Sequence, residues 1–254
     1  MYYLEEIKNS LNFGKRTTSS VKEQYTKYYS HRLGRDIELL VYGHWGYPVL
    51  VFPTTMGRYY EAKDFGLVQS ARKLIEEGRI KLYCVDSIDR DSWYAKHLHP
   101  SIRIQNAILY DRFLNEELVP WIQTECNTAK VAAAGCSFGG FQAANFAFKH
   151  ADKVSHLFTM GAAFDIRDFM SGYYDENVYF NNPPDYLPNA NDPNLWQMKI
   201  VLGSCLADFC KPETERLSSI LTAKHIRHWL DIRWHGTHDW PIWKEMFPEY
   251  LSQI

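Results

Sequence analysis

The sequence predicts an α/β fold, a mostly parallel sheet with helices on both faces. Two observations carry this. Short β-rich runs alternate with segments of helical periodicity along most of the chain. The 254 residues contain no repeat period or low-complexity tract, which suits one large domain over 1–254.

Taken in order, the polar leader is followed by "EQYTKYYS", "DIELLVYG" and "YPVLVFP". These read as three strands, with Gly34 and the "GHWG" at 43–46 marking hairpin-like reversals. Helical spacing then covers 60–77, "IKLYCVDS" is a strand, and 101–125 reads as a long amphipathic helix. "KVAAAG" is a short buried strand, followed by a helix over 139–150 and the strand "VSHLFTM". Next come the strand "KIVLGS", a helix over 213–224 and the strand "HWLDIRW". Strands separated by helices of this length pack in parallel, with both faces covered. The exception is 162–197, too rich in Pro, Asn and Asp for a simple crossover and therefore expected to be a lid inserted in the domain.

Charge narrows the partners. Lys and Arg number 28 against 30 Asp and Glu, with no long block of either sign, so neither nucleic acid nor a membrane surface is implied. A small molecule is the expected partner, and a homo-oligomer is compatible with the composition. Five cysteines (84, 126, 136, 205 and 210) form an odd set without CxxC spacing, which argues against a disulfide framework or a structural zinc and for a reducing cytoplasm. Residues 1–20 have no apolar core of a signal peptide. The uncharged run 131–148 carries glycines, Gln142 and Asn145, which would be costly in lipid.

The chemistry is concentrated in "GCSFGG". Ser137 sits between Gly135 and Gly139 at a strand-to-helix junction, the setting a G-x-S-x-G nucleophile elbow requires. Glycines allow the sharp turn and the close approach of strand and helix, while the helix N-terminus directs N–H groups toward a developing anion. The competing reading is a tight turn with serine as N-cap. Cys136 falls before the apex and reads as a core filler.

A serine nucleophile needs a base and an orienting acid, and in an α/β-hydrolase arrangement these follow in the order Ser, Asp or Glu, His. Asp208 lies in the loop after "KIVLGS", ahead of a helix opened by Pro212. His238 lies in the loop after "HWLDIRW", ahead of a helix opened by Pro241, whereas His235 ends the strand and reads as structural. Taken singly, Asp208 reads as a loop carboxylate and His238 as a helix cap. Three such residues after three strands in the required order are hard to obtain by chance. The oxyanion hole should take one N–H from Phe138 and a second from "FPTTMG", with Thr55 chosen and Thr54 the alternative. His97 and His99 in "HLHP" lack a third ligand, so no metal and no cofactor are expected.

These residues also resemble a known family. "GCSFGG", "GSCLADFC" and "HDWPIWKEMFPEYL" are similar to the esterase D-like α/β-hydrolases, which include formylglutathione hydrolases, feruloyl esterases and mycolyltransferases, while "VFPTTMGRYYEAKDFG", "YCVDSIDRDSWY" and "SGYYDENVYFNNPPDYLPN" resemble a smaller bacterial branch of esterases. The likeness runs from about residue 25 to the C-terminus. It implies Ser137 as nucleophile, Asp208 as acid and His238 as base. One departure is the Pro53–Gly57 loop, where many relatives carry an HGxG-type sequence.

The expected activity is hydrolysis of a small carboxylic ester through an acyl-enzyme on Ser137. The rivals are an acyltransferase with the same triad and a non-catalytic binding protein on the same fold. Aromatics of the insertion, Tyr173, Tyr174, Tyr179 and Trp196, are expected to wall the substrate cleft opposite Trp93 and Tyr94.

Overall fold

The computed structural model describes residues 21–254, and the leader 1–20 lies outside them. Eight strands form one sheet: β1 (Glu23–Ser30), β2 (Arg35–Tyr42), β3 (Tyr47–Phe52), β4 (Ile80–Val85), β5 (Val131–Cys136), β6 (Val154–Met160), β7 (Lys199–Ala207) and β8 (Trp229–Thr237). Their spatial order is β1-β2-β4-β3-β5-β6-β7-β8. β1 and β2 form an antiparallel hairpin turned at Gly34, whose φ is +64°. The reversal at 43–46 does not make a second hairpin. β4 intervenes, antiparallel to β2 and parallel to β3, because the crossover after β3 returns on the β2 side. From β4 through β3 to β8 every pairing is parallel.

Helices cover both faces. The expected 60–77 helix is three short ones, α1 (Glu61–Asp64), α2 (Leu67–Ser70) and α3 (Arg72–Glu76). Gly66 takes φ +78° between the first two, so a left-handed residue breaks the run. The next stretch is continuous but not uniform: α4 (Pro100–Phe113), a π-turn at Leu114–Leu118, and α5 (Val119–Cys126). Pro120 cannot donate an N–H, and just before it the helix widens so that Val119 N–H reaches Leu114 O, five residues back. The helix after β5 is α6 (Phe138–Lys149).

Strand residues alternate between two cores, as a sheet buried on both sides requires. Leu39, Leu50, Phe52 and Tyr83 pack with Phe113, Ile122 and Phe146 from α4, α5 and α6. Leu40, Val49, Val51 and Leu82 pack on the other face with Leu67 and Ile75, and with Trp243, Met246 and Phe247 of the C-terminal helix. Cys136 joins that second core, fully buried.

Residues 162–197 do not form a solvated excursion. They hold α7 (Glu176–Tyr179), α8 (Pro183–Tyr186) and three 3-10 turns, and they bury Phe164, Ile166, Met170 and Leu187. Two buried asparagines anchor the segment. Asn181 Oδ1 accepts from Asn145 and Lys149 of α6, and Asn182 Oδ1 accepts the Ile166 N–H at 2.9 Å. Beyond it, α9 (Lys211–Ala223) connects β7 to β8, and α10 (Trp240–Leu251) closes the fold. Among the described residues no helix is long and apolar enough to cross a membrane.

Candidate active site

β5 ends at Cys136, β7 at Ala207 and β8 at Thr237. Ser137, Asp208 and His238 are the residues that follow immediately, so three parallel strands deliver them to one edge of the sheet. The serine occupies φ 52°, ψ −124°, a region that L-residues rarely adopt. Its N–H is tied to Met160 O at 2.9 Å.

Backbone packs on backbone at this turn. A Cβ on Gly135 would stand 2.2 Å from Gly139 O, and one on Gly139 would stand 2.4 Å from Pro53 O. Only glycine fits at either place, which is the steric content of the motif.

His238 Nε2 lies 2.9 Å from Ser137 Oγ, and His238 Nδ1 lies 2.8 Å from Asp208 Oδ1. A carboxylate only accepts, so Nδ1 carries the proton and Nε2 is left to accept from the serine hydroxyl. The Asp208 side chain is 1% exposed, and its Oδ1 also accepts the Cys210 N–H at 2.8 Å. Gly161, at φ +57°, leaves room for the acid: a Cβ there would stand 2.6 Å from Asp208 Oδ2. Such an array can draw a proton from a hydroxyl and hold the imidazolium that results. The Cys210 thiol shares this corner, and burial pushes it up to about 12, so it stays a neutral neighbour.

Around the imidazole the walls are aromatic. The Phe209 ring lies 4.0 Å from it, and the Trp243 ring meets it edge-on at 5.0 Å. His235 is elsewhere, paired with Glu245 at 2.8 Å on an exposed surface. His99 caps α4 by accepting the Ser101 N–H.

The loop after β3 separates the two threonines. Thr54 N–H donates to Glu61 Oε2 at 2.7 Å, Met56 N–H to Asp89 Oδ2 at 2.9 Å, and Gly57 N–H to Thr54 O at 2.9 Å. Thr54 therefore has no free N–H to offer, whereas the Thr55 N–H has no acceptor among the described residues. The Phe138 N–H, in the first turn of α6, likewise has no intrahelical acceptor.

The expected wall residues divide. Tyr94 is beside the elbow: its hydroxyl donates to Thr55 Oγ1 at 3.2 Å and its ring meets Phe138 at 5.8 Å. Trp93 does not face the cleft. It is 5% exposed and packs beneath, against Phe138 and Phe141. Tyr173 joins this cluster's margin, edge-on to His99, with its hydroxyl on Asp175. Tyr174 is half exposed and bonds Asp185, and Tyr179 packs on the core under the insertion and accepts from Asn189. Trp196 is at the wrong end of the sheet, three residues before β7 begins, with its indole N–H on Lys224 O. Sequence reasoning missed Phe169, whose ring lies 5.1 Å from Phe138 and 5.3 Å from Tyr94, and Phe209. The phenylalanine directly after Asp208 in "ADFC" was the available signal for Phe209.

A parallel sheet clad on both faces, with a serine elbow at its carboxyl edge, defines an α/β-hydrolase. The chain belongs to the esterase family: residues 30–254 match the family described as "Putative esterase", and the protein is a carboxylic ester hydrolase. Similar solved structures include a ferulic acid esterase (16% identity, 92% of this chain and 98% of that one, TM-score 0.73). An S-formylglutathione hydrolase from Agrobacterium tumefaciens is also similar (14% identity, 91% and 93%, TM-score 0.71), as is the S-formylglutathione hydrolase FrmB from Staphylococcus aureus (13% identity, 92% and 96%, TM-score 0.67). A comparison with curated proteins finds no match.

Proposed function

We propose that the protein hydrolyses a short-chain or aryl carboxylic ester through an acyl-enzyme on Ser137. The observation that carries this reading is the continuous relay from Ser137 Oγ through His238 to Asp208, at 2.9 and 2.8 Å. In it, Ser137 Oγ attacks the ester carbonyl while His238 Nε2 takes the hydroxyl proton. The Phe138 and Thr55 N–H groups receive the oxyanion. His238 then protonates the departing alcohol, and the bond from carbonyl carbon to alkoxy oxygen breaks. Water repeats the sequence, delivering its proton to His238 and its oxygen to the acyl carbon, and Ser137 leaves as the acid forms. Asp208 holds the imidazole in the required tautomer.

Residues 162–197 act as the lid of one domain spanning the chain, with Phe169 and Tyr94 forming the apolar wall. Small or planar substrates fit such a wall, and the similar proteins include a ferulic acid esterase and an S-formylglutathione hydrolase. The test is labelling with a fluorophosphonate, followed by mapping of the modified peptide. Modification of Ser137, lost in a folded Ser137→Ala variant together with p-nitrophenyl acetate hydrolysis, is expected; modification of another residue would overturn the assignment.

A further inference from the structure

The loop Pro53–Gly57 is gripped by two carboxylates that the reaction above does not use, one half-buried and one fully buried. On one side Glu61, the first residue of α1, accepts both the Thr54 N–H (2.7 Å) and the Thr54 hydroxyl (2.8 Å). On the other, Asp89 accepts the Met56 N–H at 2.9 Å through one oxygen and the Gln142 amide of α6 at 3.0 Å through the other. Asp89 is 1% exposed. It thus ties this loop to the helix that begins at the nucleophile.

Neither carboxylate has an ion-pair partner among the described residues. Burial raises both above the usual carboxylate range, Asp89 to about 7, against the opposing pull of the N–H donors. For stability alone a neutral acceptor would cost less. What a carboxylate adds is a short, strong bond that fixes the donor's position.

The peptide groups they hold lie on either side of one N–H. Pro53 has none, those of Thr54 and Met56 are taken by the carboxylates, and that of Gly57 closes a turn onto Thr54 O. Met56 stands third in this turn at φ +58°. The Thr55 N–H is what remains. Gly57 has a matching role, since a Cβ there would stand 2.6 Å from Glu61 Oε1 and displace the carboxylate.

We propose that Glu61 and Asp89 are positioning residues for the oxyanion hole, clamping the peptides on both sides of Thr55 so that its N–H alone is free and held toward the reacting oxygen. The inference rests on Thr55 as the second oxyanion donor, and the experiment separates the two. Thr55→Pro removes that N–H at the second position of a turn, where proline is favoured, and tests the donor itself. Turnover is expected to fall about 10²- to 10³-fold, the usual effect of losing one such donor.

The clamp is tested with Glu61→Ala, Asp89→Ala and Gly57→Ala, using p-nitrophenyl acetate as substrate and a short-chain alkyl trifluoromethyl ketone, whose serine adduct carries the oxyanion. Each variant is expected to lose about 10- to 100-fold in kcat with KM within about threefold, a fraction of the full donor effect. The ketone Ki should rise by the same factor as kcat/KM falls. Glu61→Gln keeps an acceptor for Thr54 N–H and should recover most of the turnover. Gly57→Ala moves a flexible carboxylate without removing it, so it reports even if an alanine variant at 61 or 89 does not fold. If Thr55→Pro is impaired while the folded clamp variants keep kcat and ketone affinity, the clamp is wrong and the donor stands. If Thr55→Pro is folded and fully active, the donor assignment fails and the clamp with it.

Discussion

The exposed ring of Phe209 covers the imidazole of His238, with centroids 4.0 Å apart and planes tilted by 36°. In the proposed reaction this imidazole becomes a cation, and a cation beside an aromatic face gains about 0.5–1 kcal/mol at an exposed site. Phe209→Ala is therefore expected to lower kcat/KM for p-nitrophenyl acetate about 2- to 10-fold with no loss of melting temperature. Steady-state rates equal to wild type would show that the ring is only a neighbour.

The strain at the elbow should be separable from the chemistry. Ser137 holds φ 52°, ψ −124°, and such backbone costs about 1–3 kcal/mol for a residue with a Cβ. Ser137→Gly and Ser137→Ala should both be inactive, but the glycine variant should be more stable by about 1 kcal/mol. Urea denaturation of the pair measures the difference, and equal midpoints would contradict it.

The acid depends on its surroundings as well as its identity. Asp208→Asn should retain the fold and lose about 10³- to 10⁴-fold in turnover, since the imidazole then adopts the wrong tautomer. Gly161→Ala should lose activity too, because its Cβ would stand 2.6 Å from Asp208 Oδ2. His235→Ala, which breaks only the exposed pair with Glu245, should keep near-wild-type turnover. A dead His235→Ala would point to a different base.

Substrate preference should follow the aromatics that touch the elbow. Phe169→Ala and Tyr94→Ala are expected to change the relative kcat/KM for acetyl, butyryl and aryl esters severalfold. Tyr174→Ala and Trp196→Ala, remote from Phe138, should leave the ratios unchanged. A chain-length panel of p-nitrophenyl esters decides it, and an unaltered profile for Phe169→Ala would detach the lid from specificity.

Asp89 links stability to pH. Burial, with a smaller push from Glu61 and Asp86, raises it from 3.8 to about 7. Between those values the folded protein keeps a proton that the unfolded chain has released, so this group's contribution is complete below about pH 4 and is lost as pH rises through about 7. Asp89→Asn has no such proton, so its stability relative to wild type should climb from pH 4.5 to pH 7 and then level off. Urea melts at pH 4.5, 6 and 8 test this, and parallel curves would contradict it.

Much of the elbow was legible because its signals are local. Two glycines around a serine, a buried strand before and a helix after need no knowledge of distant residues. Asp208 and His238 were legible through order and position, each one step past a strand. The choice between Thr54 and Thr55 was not, since it turns on where Glu61 and Asp89 place their carboxylates. The aromatic wall failed for a related reason: Trp196 is close in sequence to the insertion, yet it belongs to the start of β7 at the far end of the sheet. The break at Gly66 was visible as a glycine, but helical spacing on both sides masked it.

Because Gly135, Gly139 and Pro53 meet main chain to main chain, the spacing between the Ser137 turn and the Pro53–Gly57 loop is set without any side chain. That makes the reacting centre and the surrounding walls separately mutable. A randomised library at 135 and 139 should return glycine almost alone, whereas positions 94, 169 and 209 should accept many residues. Redesign toward a new ester would then be a matter of exchanging wall residues on an unchanged chemical frame.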